Sequence, residues 1–300
     1  MKNQLTLFVG IVRRGDFESL VQRDISVGVI LDTNWSMGFA DLGKFSVIEY
    51  YDFNRAEIDL LHVVDHIKRE WDITCILVAH EFYVIAGASV TEHLGLPGIS
   101  KDVALACTDK TIMHERFVQE IGPQSTAKYK KIQSRKDLVE FTKDTDFPII
   151  LKPTNLAGSV FITLNSSQDE LLQNYNHMVE EILAFFRKTG RKDIYPCVQA
   201  EEFLKGTTHS IDCVIDAAGN VSTTPVVDEI TGREVGLDDF HLFAHLTPSR
   251  LAVSEQEKLH RLAIAGVKAL GIKSSTAHVE LIQTAQGPRL LEIGARPGGN

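Results

Sequence analysis

Short β-rich runs alternate with helical stretches through the first hundred residues, and this alternation is the strongest constraint on the fold. The runs are LTLFVGIV, ISVGVIL and FSVIEYY, followed by a helical stretch at 55–69 and then ITCILVA. Such alternation is typical of an open parallel sheet with helices on its faces. The Gly/Pro-rich stretch LGLPGIS at 94–100 marks a boundary. We therefore predict an N-terminal α/β domain over residues 1–100.

The pattern changes after residue 100. A helix-rich stretch at 101–121 ends at Gly122-Pro123, and from residue 125 strands are joined by tight turns. Further helices are predicted at about 168–189 and 255–270. Ser254 and Glu257 have the spacing of a capping box at the start of the last helix. The second part of the chain is therefore expected to be α+β.

The last predicted elements form an antiparallel hairpin at about 276–295, in which TAHVELIQT and RLLEIGA flank AQGP. Counting outward from the turn places Glu280 opposite or diagonal to Glu292, roughly 5–8 Å apart if they share a face. A divalent cation would relieve their repulsion, and Mg²⁺ prefers one or two carboxylates completed by waters and phosphates. Arg296 would then reach the phosphate. The alternative is a register that puts the acids on opposite faces, with Glu292 paired to Arg296.

Two lysines are candidates for binding phosphate. Lys152 lies within the apolar run IILKPT, where a lysine is rare unless its ammonium has an anionic partner. Gly158 and Ser159 follow in a short turn whose backbone N–H groups could cover phosphate oxygens. The alternative is that Lys152 extends to water from a strand end. Lys110 lies near a predicted helix start, where a solvated helix face is an equally good explanation.

A P-loop is not indicated. Gly38, Gly43 and Lys44 match part of the GxxxxGK pattern, but Phe45 stands where a Ser or Thr would bind magnesium.

Composition limits the classes of function. The formal net charge of −9 argues against a broad surface for nucleic acid or for an anionic membrane. The apolar run at 5–12 is too short to cross a bilayer, and no export signal is visible. The four cysteines are widely spaced without a CxxC pair, which indicates reduced core thiols and a cytoplasmic location. They are Cys75, Cys107, Cys197 and Cys213.

Four segments together resemble the ATP-grasp superfamily, and within it the carboxylate–amine ligases that include L-amino-acid ligases. They are LGLPGISKDVALACTDKTIMHERFVQEIG, FPIILKPTNLAGS, VQAEEFLKGTTHSIDCVI and AHVELIQTAQGPRLLEIGARPGG. The resemblance implies an ATP-grasp domain over 101–300, with a lid subdomain at about 125–198 and a C-terminal antiparallel-sheet subdomain. Members generally continue well past the glycine pair, so the resemblance leaves open that the C-terminal part of the ATP-grasp domain is truncated at residue 300.

The resemblance also implies roles for individual residues. Glu280 and Glu292 would bind Mg²⁺, with Mn²⁺ as an alternative, and Arg296 would stabilise the transferred phosphoryl group. His245 is a candidate for a catalytic or substrate role, with a satisfied core histidine as the alternative, and Glu81 is a candidate for lining the amine or carboxylate site. ATP would be bound by Lys110, Lys152, Gly158, Ser159, Glu201, Glu202, Phe203 and Leu204.

Three positions depart from the pattern of the family. Gly294 stands where an Asn usually follows the second metal-binding Glu, and Thr208 stands where a Glu usually takes the ribose hydroxyls. Val160-Phe161 follows Gly158-Ser159 where the loop often reads GSxGV. These departures leave open a nucleotide-binding module without turnover.

The expected activity is an ADP-forming ligation of a carboxylate to an amine through an acyl phosphate. Amino acids are the expected substrates, without nucleic acid or membrane as partners. A carboxylase or a purine-pathway ligase of the same superfamily is an alternative, and a homodimer is left open.

Overall fold

The computed structural model describes residues 2–34, 42–156, 158–188, 196–237 and 239–299. Gly38 of the incomplete P-loop pattern lies outside these ranges.

The first sheet is parallel throughout, as the alternating pattern predicts. Its strands pair in the order β3-β2-β1-β4. Leu5 and Leu7 of β1 pack on one face with Leu60 of α2, whereas Phe8 packs on the other face with Phe17 of α1. Helices therefore cover both faces. The elements are β1 (Asn3–Val9), α1 (Arg14–Val21), β2 (Val27–Asp32), β3 (Val47–Tyr51), α2 (Glu57–Glu70), β4 (Trp71–Leu77) and α3 (Val84–Leu94).

The second sheet is antiparallel and follows two consecutive helices. Its strand order is β5-β8-β6-β7. Leu138 of α6 and Ile182 of α7 are buried against Leu151 and Ala200 of the sheet. The elements are α4 (Lys101–Thr108), α5 (Lys110–Glu120), β5 (Tyr129–Ile132), α6 (Arg135–Phe141), β6 (Ile149–Pro153), β7 (Thr163–Asn165), α7 (Gln168–Lys188) and β8 (Val198–Glu202).

The third sheet is also antiparallel and contains the C-terminal hairpin. Its order is β12-β11-β9-β13-β14, and β10 pairs with β9. Leu259, Ala263 and Val267 of α8 pack against Leu290 and Ile293 of β14. The elements are β9 (Gly206–Ile215), β10 (Val221–Thr223), β11 (Val227–Thr231), β12 (Leu242–Leu246), α8 (Val253–Leu270), β13 (Ser275–Thr284) and β14 (Gly287–Gly294).

Two predictions from local sequence are wrong. Helix α8 begins at Val253 with Ala252 at the N-cap position and no side-chain cap, so Ser254 lies inside the first turn and forms no capping box with Glu257. Cys75 is exposed on β4, at the edge of the first sheet, and is not a core thiol. Cys107 and Cys213 are buried as expected, and Cys197 is half-buried.

Of the helices in the described ranges, none combines the length and the apolar character that crossing a membrane requires.

Candidate functional site

A cavity of about 470 Å³ lies between the second and third sheets. Strands β6 and β8 and the 158–162 segment supply one wall, and β11, β13 and β14 supply the other. The lining includes most of the residues predicted to form the site: Lys110, Lys152, Gly158, Ser159, Glu201, Glu202, Phe203, Leu204, Glu280, Glu292 and Arg296.

The two hairpin acids face one another. Glu280 of β13 is the register partner of Glu292 of β14, so the alternative with the acids on opposite faces is wrong. Lys110 contacts this pair: its Nζ donates to Glu292 Oε1 at 2.9 Å and to the Leu156 carbonyl at 2.8 Å. Lys110 is buried, so the solvated helix face is also excluded. The cation at Glu292 in this structure is therefore Lys110 and not Arg296.

The electrostatics of the two acids differ. Burial opposes ionisation of Glu292, but Lys110 and Lys152 hold its pKa below the ordinary value. Among the described residues, no lysine makes such a contact with Glu280, and burial together with Glu292 and Glu229 raises its pKa to about 7. The Glu292 carboxylate is thus stabilised as an anion, whereas the Glu280 carboxyl would lose its proton when a cation binds beside it.

Lys152 has an anionic partner inside the protein. Its Nζ lies 2.6 Å from Glu201 Oε1, and both side chains are buried. The alternative in which Lys152 extends to water is therefore wrong. Gln199 Nε2 also donates to Glu201 at 2.6 Å, and Thr111 Oγ1 donates to Gln199 Oε1 at 2.9 Å. This network links β6, β8 and α5 behind the cavity.

A buried histidine completes the network, and the sequence analysis did not identify it. The ring of His114 on α5 bonds through Nδ1 to Thr126 Oγ1 at 2.8 Å, and its Nε2 lies 3.4 Å from Glu201 Oε1. Burial lowers the pKa of His114 to about 4, against the opposing effect of Glu201. His114 is therefore neutral near pH 7. A lone histidine on a helix carries no sequence signal for such a role.

The segment between β6 and β7 has an unusual backbone. Gly158, Ser159 and Phe161 all have φ between 54° and 76°. Ser159 and Phe161 are strained in this region because they carry a Cβ. The Phe161 ring makes an edge contact with Phe185 of α7, with 6.3 Å between centroids. The loop is thus tethered to the helix behind the second sheet.

Apolar side chains also line the cavity. Phe203 and Leu204 follow the last residue of β8, and Ile150, Ile282 and Leu291 lie on the walls. Thr208 also lines the cavity.

Arg296 lies just beyond β14 and is bound on two sides. Its Nε donates to Glu81 Oε2 at 2.9 Å, and its Nη1 donates to the Pro297 carbonyl at 3.0 Å. Burial raises the pKa of Glu81, although Arg296 favours its ionised form.

Among the described residues, Glu81 and His245 are not part of the cavity lining. His245 lies 3.7 Å from Glu229, which does line the cavity.

Glu229 and His278 are two further cavity residues that sequence reasoning did not identify. His278 Nδ1 bonds to Asp212 at 2.8 Å, and its Nε2 lies 3.8 Å from Glu280.

Within the described ranges, no group of three or more His, Cys, Asp or Glu side chains is arranged to hold a metal. The site therefore offers a cation two facing carboxylates, which fits Mg²⁺ completed by phosphate and water.

Two antiparallel sheets that enclose buried lysines and facing carboxylates define the class to which this protein belongs. The chain is a member of the ATP-grasp domain family, whose pattern matches residues 145–300. ATP and Mg²⁺ are the nucleotide and the metal of this family.

Named relatives are distant. Alanine–anticapsin ligase of Bacillus subtilis strain 168 is 24% identical over 286 residues, which cover 91% of this chain and 59% of that ligase. This chain thus spans about three fifths of the length of that relative.

Solved structures confirm the fold. L-amino acid ligase from Bacillus licheniformis superposes with a TM-score of 0.80 at 19% identity, covering 100% of this chain and 68% of the other. The biotin carboxylase domain of 2-oxoglutarate carboxylase from Hydrogenobacter thermophilus, solved with MgADP, ADP and bicarbonate, superposes with a TM-score of 0.77 at 16% identity, covering 97% and 64%. The likeness to both establishes the ATP-grasp fold predicted from the sequence.

Proposed function

We propose that this chain is an ADP-forming ligase that joins a carboxylate to an amine and forms an amide or peptide bond. The observation that carries the proposal is one cavity lined by Lys110, Lys152, the facing pair Glu280 and Glu292, and Arg296. These are the charges that transfer of a phosphoryl group requires, since such chemistry depends on positioning and on charge neutralisation.

The reaction has two steps. A carboxylate oxygen of the first substrate attacks the γ-phosphorus of ATP, and the bond to the ADP oxygen breaks. The amine nitrogen of the second substrate then attacks the acyl carbon of the acyl phosphate, inorganic phosphate leaves, and the amine loses a proton. Lys110 and Lys152 neutralise phosphate oxygens, Arg296 stabilises the transferred phosphoryl group, and Gly158 and Ser159 cover the phosphates with backbone N–H groups.

Glu280 and Glu292 would hold Mg²⁺, with Mn²⁺ as a substitute. The bound ion would neutralise charge that develops on the phosphate oxygens. Lys110 already contacts Glu292 and keeps it ionised, so this carboxylate is an anion before Mg²⁺ binds. Glu201 to Leu204 would receive the adenine base, where Phe203 and Leu204 supply apolar lining.

Amino acids are the proposed substrates, and the name of the relative alanine–anticapsin ligase supports this class. We place His245 on the substrate side because it lies beside the cavity residue Glu229. For the organisation of the chain we propose a domain at 1–100, an ATP-grasp domain at 101–300 and a lid at about 125–198.

A nucleotide-binding module without turnover is the second candidate. It is favoured by Gly294, which supplies no side chain two residues after Glu292, and by Thr208 in the cavity wall.

The test is release of ADP by the full-length protein with ATP, Mg²⁺ and a panel of amino acids, offered singly and in pairs. We expect release to depend on a particular pair and on Mg²⁺. Glu280→Gln and Glu292→Gln should each abolish it while the circular dichroism spectrum stays unchanged. Full activity in both variants contradicts the metal site, and nucleotide binding without release for any pair supports the second candidate.

A further inference from the structure

An ion pair beside the cavity joins the N-terminal parallel-sheet part of the chain to the segment that follows β14. Glu81 lies in the turn between β4 and α3, and Arg296 follows β14, 215 residues later. Arg296 Nε donates to Glu81 Oε2 at 2.9 Å, and the two side chains are 17% and 9% exposed. A charge-assisted contact so well buried holds its partners more firmly than a surface ion pair does.

The backbone opposite Glu81 is shaped to admit its carboxylate. A Cβ built on Gly294 would lie 2.7 Å from Glu81 Oε2, closer than such contacts occur. Any side chain at position 294 would therefore displace the carboxylate. Glycine at this position and glutamate at 81 are matched to one another.

The contacts of Arg296 leave one nitrogen of the guanidinium group, Nη2, available. Nε is held by Glu81, and Nη1 is held by the Pro297 carbonyl. Nη2 makes no hydrogen bond to the described part of the chain, and Arg296 lines the cavity. A planar group bound at two of its nitrogens has little freedom to rotate, so the third nitrogen keeps a set direction.

We infer that Glu81 is a positioning residue that holds Arg296 with its Nη2 directed at the terminal phosphate of the nucleotide. The inference rests on the proposed function, because it assigns that phosphate to the cavity. Glu81 acts through Arg296 and does not itself touch the nucleotide. It follows that the loss of Glu81 should weaken recognition of the third phosphate specifically.

The experiment compares the Mg²⁺ complexes of AMP-PNP and ADP, titrated calorimetrically into the full-length protein. We expect the wild type to bind AMP-PNP more tightly than ADP. Glu81→Ala should reduce this preference about tenfold, the loss of one charge-assisted contact, and change the ADP dissociation constant less than about twofold. Glu81→Gln, which keeps an acceptor oxygen, should retain part of the preference.

Gly294→Ala provides a second route to the same state, because it displaces the carboxylate without removing it. It should reproduce the loss seen in Glu81→Ala, and the double variant should lose no more than either single variant. Glu57→Ala removes an exposed ion pair with Lys101 and serves as the control.

The outcomes separate this inference from the proposed function. A preference for AMP-PNP that survives in Glu81→Ala, or an equal loss of affinity for both nucleotides, overturns the positioning role alone. A wild-type protein that binds neither nucleotide overturns the proposed function and this inference with it.

Discussion

At the scale of single residues, the sequence predicted that certain charges were unusual but not which charges neutralise them. The apolar neighbours of Lys152 marked it as a lysine that is rare without an anionic partner, but they left open that its side chain extends to water from the strand end. Its partner Glu201 lies on β8, and only the pairing of β6 with β8 brings them to 2.6 Å. The same holds for Arg296, whose partner Glu81 lies in a segment without any periodic relation to it.

We expect Lys152→Met to weaken ATP binding by about 1.5–3 kcal/mol, the range for a charge-assisted contact. Isothermal titration calorimetry measures this directly. Because the substitution also leaves the buried carboxylate of Glu201 unpaired, the double variant Lys152→Met/Glu201→Gln separates lost affinity from lost stability.

Lys136→Met is the control, since the Lys136 side chain is 84% exposed on α6. An unchanged dissociation constant in Lys152→Met would mean that this ammonium serves only Glu201 and never the nucleotide.

The burial of His114 leads to a separate prediction, about how the stability of the fold depends on pH. Its pKa is about 4 in the folded protein because of burial, and about 6.5 in an unfolded chain. Between these values the unfolded state binds a proton that the folded state does not, so stability falls as pH is lowered from 6.5 to 4. The full effect is at most about 3 kcal/mol.

Urea denaturation of wild type and His114→Gln between pH 7 and pH 4.5 measures this effect. The variant should lose less stability than the wild type over this interval, because its side chain at 114 does not titrate. Parallel stability curves would show that His114 is not the proton acceptor. The charges that face it and are held constant in the comparison are Glu201, Lys152, Lys110 and Glu292.

At the scale of elements, periodicity predicted which helices and strands form, but not where they begin or how the last two strands pair in full. The turn of the β13–β14 hairpin pairs Leu281 with Leu290, and this register alone would place Glu280 opposite Leu291. A register shift between Glu280 and Leu281 brings Glu280 opposite Glu292, and no local sequence signal predicts such a shift. The start of α8 was not predicted either, because the supposed capping residue Ser254 lies within the first turn and the helix begins without a side-chain cap. An exposed cap contributes about 1 kcal/mol, less than the burial of Leu259 and Val267 contributes.

The loop between β6 and β7 is expected to order when nucleotide binds. Gly158 and the small residues beside it permit backbone motion, and a buried triphosphate must enter and leave. Hydrogen exchange at residues 153–162 should slow on addition of ATP and Mg²⁺. Ala157, within this stretch, lies outside the described residues.

Phe161→Ala tests what tethers the loop. The substitution removes the ring contact with Phe185, so exchange without nucleotide should become faster than in the wild type. Strong protection of the wild-type loop without nucleotide would contradict the lid, because the segment would then be closed at all times.

At the scale of the whole molecule, separate parts of the chain meet through a few contacts at the cavity. Lys110 begins α5, its backbone N–H donates to Thr154 after β6, and its side chain reaches Glu292 on β14. The alternation of elements and the four ordered segments predicted the parallel and antiparallel parts of the fold. They did not predict how the parts meet, because contacts between distant segments leave no pattern in one sequence.

Such a junction should make the stability of the whole fold depend on its ligands. ATP at 100 times its dissociation constant adds about 2.7 kcal/mol by mass action, which corresponds to a rise in Tm of roughly 4 °C for a chain of this size. Addition of Mg²⁺ should increase the shift further, because the facing acids then gain a cation between them. Differential scanning calorimetry measures both increments.

The Mg²⁺ increment is the part that tests the site. The double variant Glu280→Gln/Glu292→Gln should keep some of the shift caused by ATP alone and lose the addition from Mg²⁺, since two neutral amides do not need a cation. Its matched control is Glu57→Gln/Glu70→Gln, which removes the same two charges from the exposed surface of α2. If both double variants keep the full Mg²⁺ increment, Mg²⁺ acts through the nucleotide in solution or binds elsewhere on the protein. The facing acids are then not its ligands.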